Sequence, residues 1–211
     1  MTELNKKNNE ETSSRSSDLE QVAELVEAIK SGHLDKRVEP GKASEDSKEL
    51  FNGINEMLDA VMGPLNVAAE YVDRISKGDI PEEITDSYNG DFNEIKNNLN
   101  ACIKAINGLV ADAGLLSQAA TEGKLDTRAD DTKHNGEYKN IVKGVNDTLD
   151  AVIGPLNVAA EYVDRISKGD IPEEITDNYN GDFNEIKNNL NVCIKAISTL
   201  VSDAGLLSQA A

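Results

Sequence analysis

The sequence predicts an all-α fold in which parallel homodimeric four-helix coiled-coil bundles are stacked end to end through continuous helices. Three observations lead to this prediction. Residues 63–120 recur at residues 154–211 with only five differences. A shorter unit, made of a helical segment, a glycine and a polar connector, occurs four times along the chain. Apolar residues also follow one another at steps of three and four through the long helical segments, a spacing typical of coiled coils.

The repeats divide the chain into modules. Residues 1–17 are polar and charged without apolar periodicity, so we expect a disordered lead-in. Four modules follow at residues 18–62, 63–108, 109–153 and 154–199, and residues 200–211 begin a truncated fifth. Because the sequence stops inside a helical pattern, at "LLSQAA", we expect the chain to be part of a longer protein.

Each connector starts at a glycine that ends a helix, because glycine adopts the left-handed conformation of a helix C-terminus without strain. An apolar residue follows two positions later, and a second one four positions after that. We interpret both as anchors that pack the connector onto the helices. The predicted connector anchors are Gly32, Leu34 and Val38, then Gly78, Ile80 and Ile84, then Gly123, Leu125 and Ala129, and finally Gly169, Ile171 and Ile175.

The length of the connectors predicts parallel helices. A connector of about 13 extended residues reaches roughly 43 Å, whereas a helix of about 15 residues is only about 23 Å long. The chain can therefore return and start the second helix in the same direction as the first. One chain supplies only two parallel helices per module, so a second copy must complete the bundle.

The apolar stripe of the long helices is the predicted dimer core. It continues across the module boundaries without a break, over three to four heptads. A single helix cannot bury such a stripe. The residues assigned to the dimer core are Phe92, Ile95, Leu99, Cys102, Ile106 and Leu109 in one helix, and Val142, Val145, Leu149, Val152 and Leu156 in the next.

Two prolines and two cysteines lie within these helical patterns. Pro64 and Pro155 each remove a helical hydrogen bond, so we assign them to the helix junctions. They act either as hinges between modules or as a helix start or mild kink. Cys102 and Cys193 fit no zinc or disulfide pattern and are predicted to be reduced packing residues of the seam.

The charge of the chain restricts its partners. There are 39 acidic and 21 basic residues, for a net charge of −18, and this field repels phosphate backbones and anionic lipid surfaces. We therefore expect no nucleic acid partner. No unbroken run approaches the roughly 18 apolar residues of a membrane span, and no signal peptide is visible. We expect a soluble, cytoplasmic segment that does not insert into a membrane.

The connector pattern and its flanking heptads resemble tandem HAMP domains, the signal-relay modules of soluble chemoreceptors and of sensor or hybrid histidine kinases. The connector glycine with its two apolar residues occurs in all four modules, and Pro64 and Pro155 match the family's proline early in the first helix. The family's acidic-glycine motif at the second helix is only partly met. Asp91, Glu137 and Asp182 keep the acidic residue, but the glycine is absent, and the first module departs further.

The resemblance implies that each module has two bundle arrangements, which differ in helix rotation or packing. Connectors of the type "GDIPEEITD" alternate with connectors of the type "G(H/K)LD(K/T)R". Our hypothesis is that the modules pass a conformational signal along the bundle axis and invert its sense at each step. A recent duplication with no mechanical alternation remains the alternative explanation of the two types.

Taken together, these features predict a signal-transduction relay toward a chemoreceptor or kinase output domain, with a passive dimeric spacer as the alternative. An autonomous kinase or receptor output domain is disfavoured, because no catalytic or methylation-type helix is visible. His33 and His134 lie among polar residues and are expected to face solvent. No catalytic motif is present, so we predict no enzyme activity, no catalytic residue, no cofactor and no metal. The partners are a second copy and the input and output domains of the full protein.

Overall fold

The computed structural model describes the backbone of residues 3–210 and the side chains of residues 11–209. The helices in that part of the chain are α1 (Glu3–Lys30), α2 (Lys48–Ser76), α3 (Gly90–Thr121), α4 (Gly136–Ser167) and α5 (Gly181–Ala210). Short 3₁₀ turns lie at Pro40–Lys42 and Asp131–Lys133. The described residues contain no strand, so the predicted all-α class is confirmed.

Four connectors separate the helices: connector 1 (residues 31–47), connector 2 (77–89), connector 3 (122–135) and connector 4 (168–180). The chain divides into two compact units, Met1–Ile106 and Asn107–Ala211. The boundary between the units falls two residues before the predicted border between modules 2 and 3. The 3₁₀ turns occur in connectors 1 and 3 only, so the two sequence types of connector also differ in backbone structure.

The N-terminal segment differs from the prediction. Residues 3–17 belong to α1 in place of the expected disordered lead-in, while residues 1–2 lie outside the described part of the chain. Six of these fifteen residues are Glu, Lys or Arg, and eight are Asn, Ser or Thr. Glu, Lys and Arg have good helix propensity even where no apolar stripe is present. The search for apolar periodicity could not detect such a helix.

Helices α2 and α4 run through Pro64 and Pro155 without ending. The interpretation of these prolines as helix starts is therefore wrong, because α2 begins at Lys48 and α4 at Gly136. Both prolines are half-buried within their helices. A role as hinges stays a prediction.

The core of the first unit is small and centres on Phe51, which is 1% exposed and clusters with Leu25 and Val38. After module 1, the most deeply buried residues of the helices are single aliphatic residues. They are Ile103 in α3, Val142 and Ile153 in α4, and Ile194 in α5. Many other large apolar side chains on the helices remain exposed within one chain.

Two helices contradict the prediction about membranes. Within the described residues, Gly90–Thr121 and Gly181–Gln209 are long and apolar enough, by length and composition, to cross a membrane. Neither contains an unbroken apolar run, but small residues and few charges give 18-residue windows of mean hydropathy 1.3 and 1.4, of which 6% is buried. This finding overturns the predicted cytoplasmic location and removes the basis for excluding membrane insertion.

Candidate functional site: the connector docking sites

The connector glycines have the left-handed conformation that the sequence predicts. Gly32, Gly78, Gly123 and Gly169 have φ angles between +74° and +83°. Each accompanies a reversal in which the residue after the glycine donates its backbone N–H to a carbonyl oxygen of the helix's last turn, for example Asp79 to Arg74 at 3.0 Å. A side chain at these positions is strained whatever space surrounds it.

The two anchor positions differ in burial. The second anchors, Val38, Ile84, Ala129 and Ile175, are all buried. The first anchors are not: Leu34 is 38% exposed and Leu125 is 40% exposed, while Ile80 and Ile171 are half-buried. Ala129 has three fewer carbon atoms than Ile84, which corresponds to about 2 kcal/mol less hydrophobic stabilisation. Connector 3 therefore has the weakest apolar anchor.

An asparagine clamp holds each second anchor, and sequence reasoning missed it. We use this name for an asparagine on the second helix whose side-chain oxygen accepts the anchor's backbone N–H and whose side-chain nitrogen donates to the same residue's carbonyl oxygen. The eight distances lie between 2.8 and 3.1 Å, and the pairs are Val38 with Asn55, Ile84 with Asn100, Ala129 with Asn146, and Ile175 with Asn191.

The clamp satisfies backbone groups that an irregular connector has no other means of pairing. Leaving a buried backbone donor or acceptor without a partner costs about 1–3 kcal/mol. The clamp also defines two connector registers, because anchor and asparagine are 17 positions apart in modules 1 and 3 and 16 positions apart in modules 2 and 4. The signal was available in the sequence, since the asparagines recur in step with the connector glycines.

Connectors 1 and 3 are also tied to their second helix by an arginine. Arg37 donates from Nε and Nη2 to Asp59 Oδ1 at 3.0 and 2.6 Å, and from Nη1 to the carbonyl oxygen of Leu34 at 2.9 Å. Arg128 makes the same contacts with Asp150 and Leu125. Both aspartates are largely exposed, so each pair contributes about 1 kcal/mol or less.

Connectors 2 and 4 use lysines of the second helix. Lys104 pairs with Glu83 at 3.0 Å, and Lys195 pairs with Glu174 at the same distance. Lys96 and Lys187 donate to carbonyl oxygens of the preceding connector. The two connector types thus differ in their contacts: one type uses the arginine of "G(H/K)LD(K/T)R", and the other uses the second glutamate of "GDIPEEITD".

Hydrogen bonds shift the pKa of carboxylates around the connectors. The Ser44 hydroxyl donates to Asp18 at 2.6 Å and lowers the pKa of Asp18, and a hydrogen bond from Ser47 adds to the effect. Asp18 therefore stabilises the fold above the ordinary carboxyl pKa, and this contribution is lost as the pH falls through the lowered value. At the start of connector 2, a hydrogen bond from Arg74 lowers the pKa of Asp79 in the same way.

The expectation for one histidine is wrong. His33 is exposed, as predicted. His134 is only 7% exposed, and its Nε2 lies 2.6 Å from Asp112 Oδ2 on α3. The sequence around His134 is polar, but its partner lies 22 positions earlier. Local polarity could not reveal this contact.

The predicted dimer core is largely uncovered within one chain. Of its residues, Val142 is buried. Ile95, Cys102, Val145, Val152 and Leu156 are exposed, while Phe92, Leu99, Ile106, Leu109 and Leu149 are half-buried. Cys193, the repeat counterpart of Cys102, is also exposed. Both cysteines have free thiols. The assignment of the predicted core residues to a dimer interface stays a prediction.

Among the described residues, no group of three or more metal-ligating side chains is present. The docking sites consist of hydrogen bonds, ion pairs and small apolar contacts, and these contacts hold each connector in place. The molecule that they define is an all-α array of helix–connector–helix modules.

Residues 42–108 and 133–199, together more than half of the chain, match the HAMP domain family. The chain belongs to this family and carries a tandem HAMP array. Each match begins at the last residue of a 3₁₀ turn, continues through one helix and one connector, and ends inside the next helix. HAMP domains relay signals in sensor proteins, so the chain is a signal-transduction segment. The finer division into four modules stays a prediction.

Proposed function

We propose that the chain passes a change in helix packing from module to module toward an output domain of a chemoreceptor or kinase type. The observation that carries this proposal is the position of the clamps. Asn55, for example, holds connector 1 from α2, and α2 is also the first helix of module 2. A movement of α2 therefore acts on the connector of one module and on the helix pairing of the next.

The working unit is a parallel homodimer. The uncovered apolar stripe supports this part of the proposal, because exposed apolar surface on this scale favours association. Val145, Val152 and Leu156, for example, are each at least 42% exposed within one chain and lie at coiled-coil spacing. A second copy in the same orientation brings like positions together and closes a four-helix bundle in each module.

The segment acts without catalysing a reaction, and its input and output domains lie elsewhere in the full protein. The docking contacts support this view, since their visible role is to position the connector backbone. Nucleic acid is not a partner, because the net charge of −18 repels it.

A distant effect of a connector substitution tests the relay. Replacing Ile80 with alanine weakens the first anchor of module 2, and we expect the rate of disulfide formation between the Cys193 thiols of the two protomers to change about fivefold or more. The rate is followed by non-reducing gel electrophoresis after mild oxidation of a Cys102→Ser variant. A relay transmits the change to α5, although Ile80 lies in connector 2.

The matched control is Ser87→Asn, since Ser87 is exposed and the repeat copy carries asparagine at the corresponding position. This variant should leave the rate unchanged. A passive spacer predicts that Ile80→Ala leaves the Cys193 rate unchanged and alters only crosslinking at Cys102 in the neighbouring helix, which is measured in a Cys193→Ser variant. An unchanged Cys193 rate would therefore reject the relay in favour of the spacer.

A further inference from the structure

The modules differ in how the connector contacts the first helix. In module 1 these contacts include hydrogen bonds, beside the apolar contact between Val38 and Leu25 of α1. The backbone N–H of Glu39 donates to Gln21 Oε1 at 3.1 Å, and Ser44 donates to Asp18 on the same helix, α1. Asp18 is buried, so its hydrogen bond with Ser44 is partly shielded from water, whereas the bond to Gln21 is exposed. Connector 1 is thus hydrogen-bonded to α1 as well as to α2.

In module 3, a single histidine makes the corresponding contact. His134 ends the 3₁₀ turn of connector 3, and its ring contacts Asp112 of α3 at 2.6 Å. The side chain of His134 is 5% exposed. We call this pair the latch. Module 1 has Ala43 at the position of His134, so the latch is a feature of module 3.

A glycine on α3 makes room for the latch. A Cβ atom added to Gly108 would lie 3.1 Å from His134 Cε1, which is tighter than ordinary van der Waals contact. Glycine is unfavourable in a helix interior, so its presence there calls for a reason. The repeat copy in α5 keeps the aspartate, as Asp203, but has Thr199 in place of Gly108. The combination of a glycine that makes room for the ring and an aspartate that contacts it thus occurs in α3 and not in its repeat copy α5.

Modules 2 and 4 lack such contacts in the part of the chain that the structure describes. At the helix ends, the first three residues of each connector make backbone bonds and ion pairs with the last turn of the first helix. Beyond these, the hydrogen bonds and ion pairs of connectors 2 and 4 go to the second helix. The further contact with the first helix in module 4 is apolar. In module 4, Ile175 and Tyr179 lie beside Pro155, Val158 and Ala159.

We propose that His134 is a positioning residue, which fixes connector 3 to α3 and so resists rotation between the two helices of module 3. The hydrogen bonds between connector 1 and α1 resist rotation in module 1 in the same way, whereas modules 2 and 4 accommodate it. This inference rests on the proposed relay. A hydrogen bond is directional and weakens steeply when its angle changes, whereas apolar packing is non-directional and tolerates small rotations. Alternating modules therefore differ in stiffness, and the difference gives the two connector types separate mechanical roles.

Hydrogen exchange measured by mass spectrometry on the full chain tests the latch. We expect His134→Ala to speed exchange of the amides in residues 124–135 by about tenfold, because connector 3 loses its bond to α3. Exchange in connectors 2 and 4 should stay unchanged. His134→Gln should restore protection, since its amide nitrogen can take the place of Nε2 and donate to Asp112. The matched control, His33→Ala, removes an exposed histidine and should change nothing.

A second variant keeps the histidine and removes its seat. Gly108→Ala should speed exchange in the same segment while the thermal unfolding midpoint is maintained or raised, since alanine favours the helix. Unchanged exchange in both His134→Ala and Gly108→Ala would overturn the proposal, as would a failure of His134→Gln to restore protection.

The relay and the latch can fail separately. The change in the rate of Cys193 crosslinking that Ile80→Ala causes should differ between the chain with His134 and the chain with His134→Ala. If Ile80→Ala never affects Cys193 but exchange responds to the latch variants, then the relay is wrong and only the positioning of connector 3 is supported. If Ile80→Ala acts equally in both backgrounds, the mechanical role of the latch is rejected while the relay stands.

Discussion

Replacing Asn100 with alanine is expected to destabilise the folded chain by about 2–4 kcal/mol, because it removes both bonds of an asparagine clamp. The N–H and the carbonyl oxygen of Ile84 then have no partner, at a residue that is buried. Urea denaturation at one fixed protein concentration measures the loss. The concentration is fixed because the stability of an associating protein depends on it.

Two further variants test whether the loss of stability comes from the clamp. Asn98→Ala removes an exposed asparagine from the same helix and should change stability by no more than about 0.5 kcal/mol. Asn100→Asp keeps an acceptor for the Ile84 N–H but places oxygen against the Ile84 carbonyl, so it should be no better than alanine. If Asn100→Ala behaved like Asn98→Ala, the clamp would have no energetic role in holding the connector.

Replacing Phe51 with alanine should cost about 3–5 kcal/mol, the largest effect expected from any apolar truncation in module 1. Phe51 is 1% exposed and clusters with Leu25 and with the anchor Val38, so its removal leaves a cavity beneath connector 1. The same denaturation experiment measures the loss. Faster hydrogen exchange in connector 1 should accompany it, because the second anchor loses its main neighbour.

The conservative variant Phe51→Leu is the control. It retains most of the buried volume and should cost about 1.5 kcal/mol or less. Equal losses in the two variants, or a loss below about 1 kcal/mol for alanine, would show that this cluster is not the core of module 1.

The sequence predicts the parts of the fold that depend on periodicity. Heptad spacing indicated the long helices, and the recurring glycines located the connectors and the buried second anchors, such as Ile84. Both signals are local, because helical repeats and helix-ending glycines are read within a few turns. The resemblance to HAMP domains that the sequence showed rests on the same two patterns.

Heptad spacing and helix-ending glycines alone did not reveal the contacts that hold the connectors. Asn100 was not singled out in the sequence, since asparagine is mostly exposed in proteins. Asn100 binds the backbone N–H and carbonyl group of Ile84, and every residue type except proline carries both groups. The side chain of Ile84 therefore does not indicate the contact. His134 was missed for a similar reason, because Asp112 lies in the preceding helix. Membrane-length helices were missed because only unbroken apolar runs were considered.

The most direct test of the account is the pattern of disulfides that form between chains on mild oxidation. Cys102 and Cys193 are both exposed in a single chain, and a disulfide needs Cα atoms within about 7 Å of each other. Parallel, in-register pairing predicts that peptide mapping of the crosslinked dimer finds Cys102 joined to Cys102 and Cys193 joined to Cys193. Joining of Cys102 to Cys193 of the other chain, or a chain that stays a folded monomer, would contradict the side-by-side pairing on which the relay depends.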